Sequence, residues 1–257
     1  MSSRRSETLL EGLNPQQSAA VTHFGGPLLV VAGAGSGKTR VLTRRIAYLM
    51  AERDIQPFEI LAITFTNKAA GEMKERVSQL VGNRAKIMWV STFHSACVRI
   101  LRQEAVRLGF SPTFSIYDQA DSLRLVTLVM RDLNLDPKRY NPRGVASVIS
   151  NAKNELLGPA DYRNATQNSF EEVVSEVYAL YQQRLTSANA MDFDDLIMKT
   201  VEVLQKFPEA RARYRHRFKH ILVDEYQDTN HAQYILIREL VGTDREGIPA
   251  AELCVVG

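Results

Sequence analysis

Apolar positions along the chain follow two regimes. Short, nearly unbroken apolar runs occur at Leu28–Val31, Ile60–Phe65, Ile87–Ser91, Ile221–Val223 and Leu253–Val256. Such runs predict strands buried on both faces, as in a parallel sheet. Between them, apolar residues recur at helical spacing over Lys38–Ala51 and Ala69–Leu80. Leu13-Asn14-Pro15-Gln16-Gln17 opens the ordered part, with Asn14 suited to cap a helix and Pro15 to its first position. Gly25-Gly26-Pro27 then breaks that helix.

After His94 the strand pattern lapses. Val98–Leu108, Gln119–Leu133, Pro142–Glu155, Phe170–Ser187 and Asp192–Lys206 all read as helices. The simplest topology is an α/β parallel-sheet core over residues 11–94 and 218–257, interrupted by an all-helical subdomain over residues 95–217. Residues 1–10, polar and basic at the start, are expected to be a disordered leader.

Composition narrows the class without naming a chemistry. The chain has 257 residues, 45% hydrophobic and 24% charged, which is ordinary for a globular protein with a sizeable core. A net charge of +3 gives no global basic surface, so any nucleic-acid face must come from local placement. Two cysteines, Cys97 and Cys254, make neither a disulfide framework nor a metal-ligand spacing, which fits a reducing cytoplasm. No apolar run has the length of a membrane span, and no signal-peptide pattern follows Met1–Arg5.

The chemistry sits at two strand ends. Ala32-Gly33-Ala34-Gly35-Ser36-Gly37-Lys38-Thr39 follows a strand and opens a helix, the context a phosphate-binding loop requires. Its glycines allow tight turns that aim backbone N–H groups at phosphate oxygens, and the helix start favours an anion. Lys38 would reach the β- and γ-phosphates, and Thr39 would coordinate Mg²⁺. The first glycine of the usual pattern is replaced by Ala32. Arg40 closes the set expected near the nucleotide. At the second strand end, Asp224 suits a Mg²⁺ shell and Glu225 would orient or deprotonate the attacking water.

Asp224-Glu225-Tyr226-Gln227-Asp228-Thr229-Asn230 resembles the D-E-x-Q-D motif of superfamily 1A helicases of the UvrD/PcrA type. Leu13-Asn14-x-x-Gln17 resembles their adenine-recognising motif, and Ala32–Thr39 their variant phosphate loop, Ala32 included. Thr64–Ala70 and Ser91–Ser95 resemble two motifs that grip single-stranded DNA. The resemblance runs from about Leu9 to Gly257 in family order. It implies a RecA-like ATPase core with ATP and Mg²⁺ as cofactors, and a 3′→5′ motor acting on single-stranded DNA and single/double-strand junctions. Gln17 would read adenine, and Gln227 would couple the γ-phosphate to the DNA groove. Phe65, Thr66, Asn67, Thr92, Phe93 and His94 would contact DNA. It further implies a second motor domain carrying arginine fingers beyond Gly257, DNA-repair partners, and a cytoplasmic, nucleoid-associated location in a bacterium.

Other features have plainer readings. Arg211, Arg213, Arg215, Arg217 and Lys219 alternate with Tyr214, His216 and Phe218, but helical spacing spreads such charges around a rod. Lys153 and Asn154 are weighed as duplex contacts against a solvated face. Asp192-Phe193-Asp194-Asp195 is weighed as a metal cluster against a helix N-cap with acids in the first turn. The rival functions are an unrelated phosphate-loop enzyme such as a small-molecule kinase, a non-catalytic nucleotide- and DNA-binding fragment, and a helicase subunit of a recombination nuclease.

Overall fold

The computed structural model of the chain describes residues 8–33, 35–243 and 247–257. Packing divides them into two compact units. The first comprises the described residues of Met1–Ala96, Pro208–Thr229 and Ile237–Gly257; the second comprises Cys97–Phe207 and Asn230–Leu236.

The first unit is built on a sheet of five parallel strands: β1 (Leu28–Val30), β2 (Ile60–Thr64), β3 (Trp89–Thr92), β6 (His220–Val223) and β7 (Glu252–Val256). Their order is β1-β7-β6-β2-β3. Every residue of β2 and β6 is buried, which is why both read as unbroken apolar runs. Because all neighbours are parallel, the carboxyl ends of all five strands share one edge. Helices α1 (Pro15–Thr22), α2 (Lys38–Glu52) and α3 (Asn67–Val81) belong to this unit. Leu42 and Ile46 of α2 and Met73 and Val77 of α3 pack with Ile60, Ala62, Leu222 and Val256 of the sheet. Each of the larger side chains, Leu, Ile, Met or Val, contributes about 1.5–3 kcal/mol by leaving water. Asn14 starts α1 as expected, forming a reciprocal capping box with Gln17 and placing Pro15 in the first turn.

The second unit carries α5 (Gln119–Asp132), α6 (Pro142–Asn154), α7 (Pro159–Ala165), α8 (Ser169–Ser187) and α9 (Phe193–Lys206). It also holds the larger part of α4 (Phe93–Glu104) and the start of α11 (His231–Val241). Val126, Val129, Val145, Ile149, Tyr178 and Leu185 form its core. The all-helical expectation needs one amendment: β4 (Ser115–Tyr117) and β5 (Ala190–Asp192) pair in parallel. Three-residue strands carry too little alternation to be recognised from sequence. The boundaries differ as well. Helix α10 (Pro208–Arg217), expected in the insertion, packs with the sheet unit, whereas Asn230–Leu236 packs with the helical one.

Several side chains have other surroundings than expected. Residues 8–10, placed in the leader, are helical, and Leu9 is buried. Residues 1–7 lie outside the described residues. Lys153 is neither solvated nor free for duplex contact. Its Nζ lies 2.7 Å from Asp192 Oδ2 and 2.9 Å from Asp195 Oδ1, inside the helical unit. Tyr181 donates to the same Asp192 oxygen, and Gln182 to Asp195. Burial alone would lower the Lys153 pKa; the carboxylates of Asp195 and Asp192 outweigh it and hold the ammonium above its usual value. Asp192 caps α9, so the acidic cluster is a helix start neutralised by a lysine.

The basic run is likewise absorbed. Arg215 donates to the Glu239 carbonyl, Arg217 lies over the Trp89 ring at 4.7 Å, and Lys219 pairs with Glu59. Cys97 and Cys254 are buried free thiols. Among the described residues, no helix is long and apolar enough to cross a membrane.

Candidate nucleotide and nucleic-acid site

The loop after β1 turns through two left-handed glycines, Gly35 at φ +76 and Gly37 at φ +87, which side-chain-bearing residues adopt only under strain. Gly37 caps α2 with no side-chain hydrogen bond to the first turn. A Cβ placed at Gly33 or Gly35 would meet nothing within 4 Å, so the loop offers bare backbone next to a helix start. That suits a phosphate chain. Ala34 lies outside the described residues. Ala32 is tied into the sheet, its N–H donating to the Gly257 carbonyl at 2.9 Å. Gln17 Nε2 donates to the Ser36 carbonyl at 2.9 Å, and a Cβ at Gly37 would stand 3.2 Å from that amide. The α1 residue expected at adenine is thus fastened to the phosphate loop. Arg40 is exposed and reaches the Glu11 carbonyl.

The acidic loop approaches from β6. Glu225 adopts a left-handed backbone, φ +50, costly for a non-glycine residue and a mark of functional loops. Lys38 Nζ lies 3.2 Å from Glu225 Oε2, and Gln227 Nε2 donates to the same oxygen at 2.7 Å. These two contacts, Gln227 first, hold the Glu225 carboxyl below its ordinary pKa. Asp224 is 6% exposed and is pushed the other way, by burial and by the neighbouring Glu225. Thr39, in the first turn of α2, and Asp224 offer one hydroxyl and one carboxylate, a set that fits a hard cation taking its other ligands from phosphates and water. Among the described residues, no cluster of three or more His, Cys, Asp or Glu could hold a metal by itself.

Residues expected at DNA follow β2 and β3 on the same sheet edge. Strand β6 pairs with β2, and the Asp224 N–H donates to the Ile63 carbonyl, so the acidic loop and the Phe65 loop leave adjacent strands. Phe65 is partly exposed and meets Phe93 edge-on, with ring centroids 5.5 Å apart. Thr66 caps α3 through the Ala69 N–H, and Thr66 and Asn67 are both exposed. Phe93, by contrast, is 2% exposed. A base cannot stack on a ring so covered, and its place is behind Phe65. Thr92 is buried and bonds Ser95, while His94 is partly covered, which lowers its pKa.

Gly257 was not singled out from sequence. A Cβ there would lie 2.8 Å from Gln227 Oε1, so its smallness seats Gln227 against the sheet edge. A glycine directly after an apolar strand run is the signal that could have marked it.

The model of the UvrD/REP helicase N-terminal domain matches residues 13–257. The chain is similar to ATP-dependent DNA helicase UvrD1 of Mycobacterium tuberculosis (strain ATCC 25618 / H37Rv), with 62% identity over 256 residues, covering 98% of this chain and 33% of the relative. It is 52% identical over 252 residues to ATP-dependent DNA helicase PcrA of Bacillus subtilis (strain 168), covering 98% and 33%. Similarity to PcrA of Staphylococcus aureus (strain NCTC 8325 / PS 47) is 50% over 249 residues, covering 97% and 33%. The chain spans about a third of the length of the curated relatives it matches.

Proposed function

Because the chain belongs to the UvrD/REP helicase N-terminal domain family, we propose that it is the ATP-binding part of a 3′→5′ DNA helicase, holding Mg·ATP at the β1 and β6 loops and single-stranded DNA at the β2 and β3 loops. The observation that carries this reading is the convergence of Lys38 and Gln227 on one oxygen of Glu225. A phosphate-loop lysine, a water-activating carboxylate and a γ-phosphate sensor are the parts that hydrolysis by positioning and electrostatics needs.

The residues divide the work. Backbone N–H groups of the loop around Gly35, Gly37 and Lys38 would receive phosphate oxygens, and Gln17 reads adenine from its anchorage on Ser36. Lys38 moves from Glu225 to the β- and γ-phosphates. That transfer would remove one of the two contacts that depress Glu225. Thr39 and Asp224 would hold Mg²⁺, which when bound neutralises charge on the β- and γ-phosphates. Gln227 bonds Glu225 and would report the γ-phosphate to the Phe65 loop. Phe65 offers a stacking face, with the Thr66 and Asn67 backbone and side chains beside it for phosphates.

Junction binding, repair partners and a cytoplasmic, nucleoid-associated location accompany this reading through the family. Product analysis separates it from the kinase alternative. Free phosphate and ADP in equal amounts, with no phosphorylated acceptor, are expected; a phosphorylated acceptor would overturn it.

A further inference from the structure

Helix α1 has little apolar packing to hold it in place. Of its eight residues, Val21 alone is buried. An apolar stripe is what normally fixes a surface helix, so the placing of α1 falls to polar ties. At one end Gln17 donates to the Ser36 carbonyl of the phosphate loop. At the other end stands Arg45 of α2, which is 1% exposed. Its Nη1 lies 3.0 Å from the Ala20 carbonyl oxygen, 3.4 Å from that of Val21 and 2.7 Å from that of His23. These are carbonyls that a helix end leaves without a partner inside the helix, and a cation there also opposes the helix dipole.

The turn after α1 is gripped from the sheet as well. Glu252, at the start of β7, accepts the Gly25 N–H on Oε1 at 3.1 Å, and its Oε2 lies 3.6 Å from Arg45 Nη2. Along α2, Lys38 and Arg45 stand about two turns, or roughly 10 Å, apart. One helix therefore carries the phosphate-loop lysine at its start and the anchor of α1 two turns on, and all these residues belong to the sheet unit. A guanidinium suits that seat: its rigid fork reaches several oxygens at once, which the single point of a lysine ammonium does not.

We propose that Arg45 is a positioning residue for base selection: by fastening the C-terminal end of α1 to α2 it sets Gln17 beside the phosphate loop, and so makes the site prefer adenine over guanine nucleotides. This rests on the adenine-reading role given to Gln17 above. With Nε2 committed to the Ser36 carbonyl, the Gln17 amide is oriented. Its Oε1, which takes the Asn14 N–H, keeps a second lone pair that can accept from the amino group of adenine but not from the carbonyl of guanine. Arg45 itself touches no nucleotide. An α1 released at Ala20–His23 swings Gln17 off the base, while Lys38 and the loop backbone keep the phosphates. Losing a base contact of that kind removes uniform binding, which raises KM and spares kcat.

The test uses a chain of the relatives' full length that carries these residues. Phosphate release is measured at saturating single-stranded DNA over a range of ATP or GTP concentrations, and thermal melts check folding. The wild type should prefer ATP, and Gln17→Ala should lose that preference. Arg45→Lys keeps a charge facing Glu252, and Arg45→Met combined with Glu252→Gln leaves no ion buried alone. Both should raise KM for ATP about 10-fold, the worth of about one hydrogen bond, while kcat and the KM for GTP stay within about twofold. Either change added to Gln17→Ala should raise KM for ATP no further. An unchanged KM for ATP in either folded variant, an equal rise for GTP, or a matching loss of kcat would overturn the proposal. So would unfolding of both variants, which would make Arg45 a strut of the core and nothing more. A wild type that treats ATP and GTP alike, or a Gln17→Ala that still prefers ATP, would instead remove adenine reading from Gln17 and this inference with it.

Discussion

Lys38 Nζ stands 3.2 Å from Glu225 Oε2, although β7 lies between the strands that deliver them. Lys38 of the phosphate loop is therefore paired with the carboxylate proposed to act on the water. On the proposed reading an arriving triphosphate would compete with Glu225 for that lysine.

Removing the lysine separates the partners. Lys38→Ala should lose most of the affinity for Mg·ATP. At an ATP concentration 100 times its dissociation constant, the unaltered protein should gain about 2.7 kcal/mol of stability. Thermal melts with and without Mg·ATP measure this, and the alanine variant should show little shift. Equal shifts in both proteins would remove the phosphate loop from the account.

Glu225→Gln should bind Mg·ATP at least as tightly as the parent, because a neutral amide competes less for Lys38. It should hydrolyse far more slowly, since the amide cannot take the water's proton. Asp224→Asn should instead weaken binding only when Mg²⁺ is present. Isothermal titration beside a phosphate-release assay distinguishes the pair. Normal turnover in Glu225→Gln would assign water activation to another group.

Phe65 and Phe93 touch, yet their variants should differ. Phe65→Ala should weaken single-stranded DNA binding by roughly 1–3 kcal/mol, similarly across base sequences. Phe93→Ala should cost roughly 3–5 kcal/mol of folding stability, because its ring is 2% exposed. DNA affinity itself should fall steeply with salt. Fluorescence anisotropy and denaturant melts read the two effects, and undiminished DNA affinity in Phe65→Ala would return that ring to a packing role.

The parallel sheet was legible because β2 and β6 are buried on both faces and so leave unbroken apolar runs. The phosphate loop was legible because its glycines and Lys38-Thr39 are contiguous. What sequence could not carry was contact between distant residues. Lys153 looked like a surface charge, and its partners Asp192 and Asp195 lie far along the chain on another element. Phe65 and Phe93 occupy equivalent places after neighbouring strands, and only packing shows that one ring covers the other. The α11 helix went unread, although Asn230 and Gln233 spell its capping box.

The Lys153 cluster has a pH signature. Lys153→Met leaves Asp192 and Asp195 buried without a cation, which should cost about 3–5 kcal/mol at neutral pH. Burial raises the Asp195 pKa even with Lys153 opposing the shift. Without the lysine the folded-state value rises further above the unfolded one. An acid raised in this way destabilises the fold above its folded pKa and ceases to do so as pH falls through it. The deficit of Lys153→Met should therefore shrink between neutral and mildly acidic pH. In the parent, the raised Lys153 pKa stabilises below the unfolded lysine value and is lost as pH rises through the folded one. Urea melts across pH measure both limbs, and a pH-independent deficit would contradict the ion-pair account.

The most direct test of the nucleotide and DNA assignment is phosphate release from Mg·ATP, with and without a single-stranded oligonucleotide. It compares a chain of the relatives' full length that carries these residues with residues 1–257 alone, and Lys38→Ala in each. The 257 residues correspond to about a third of their relatives' length, and an arginine finger in phosphoryl transfer is worth about 10³–10⁵ in turnover. Full-length protein should hydrolyse ATP, accelerate with DNA and lose both properties in Lys38→Ala, while residues 1–257 alone should turn over slowly and respond little to DNA. A full-length protein whose hydrolysis ignores DNA, or survives Lys38→Ala, would contradict the account.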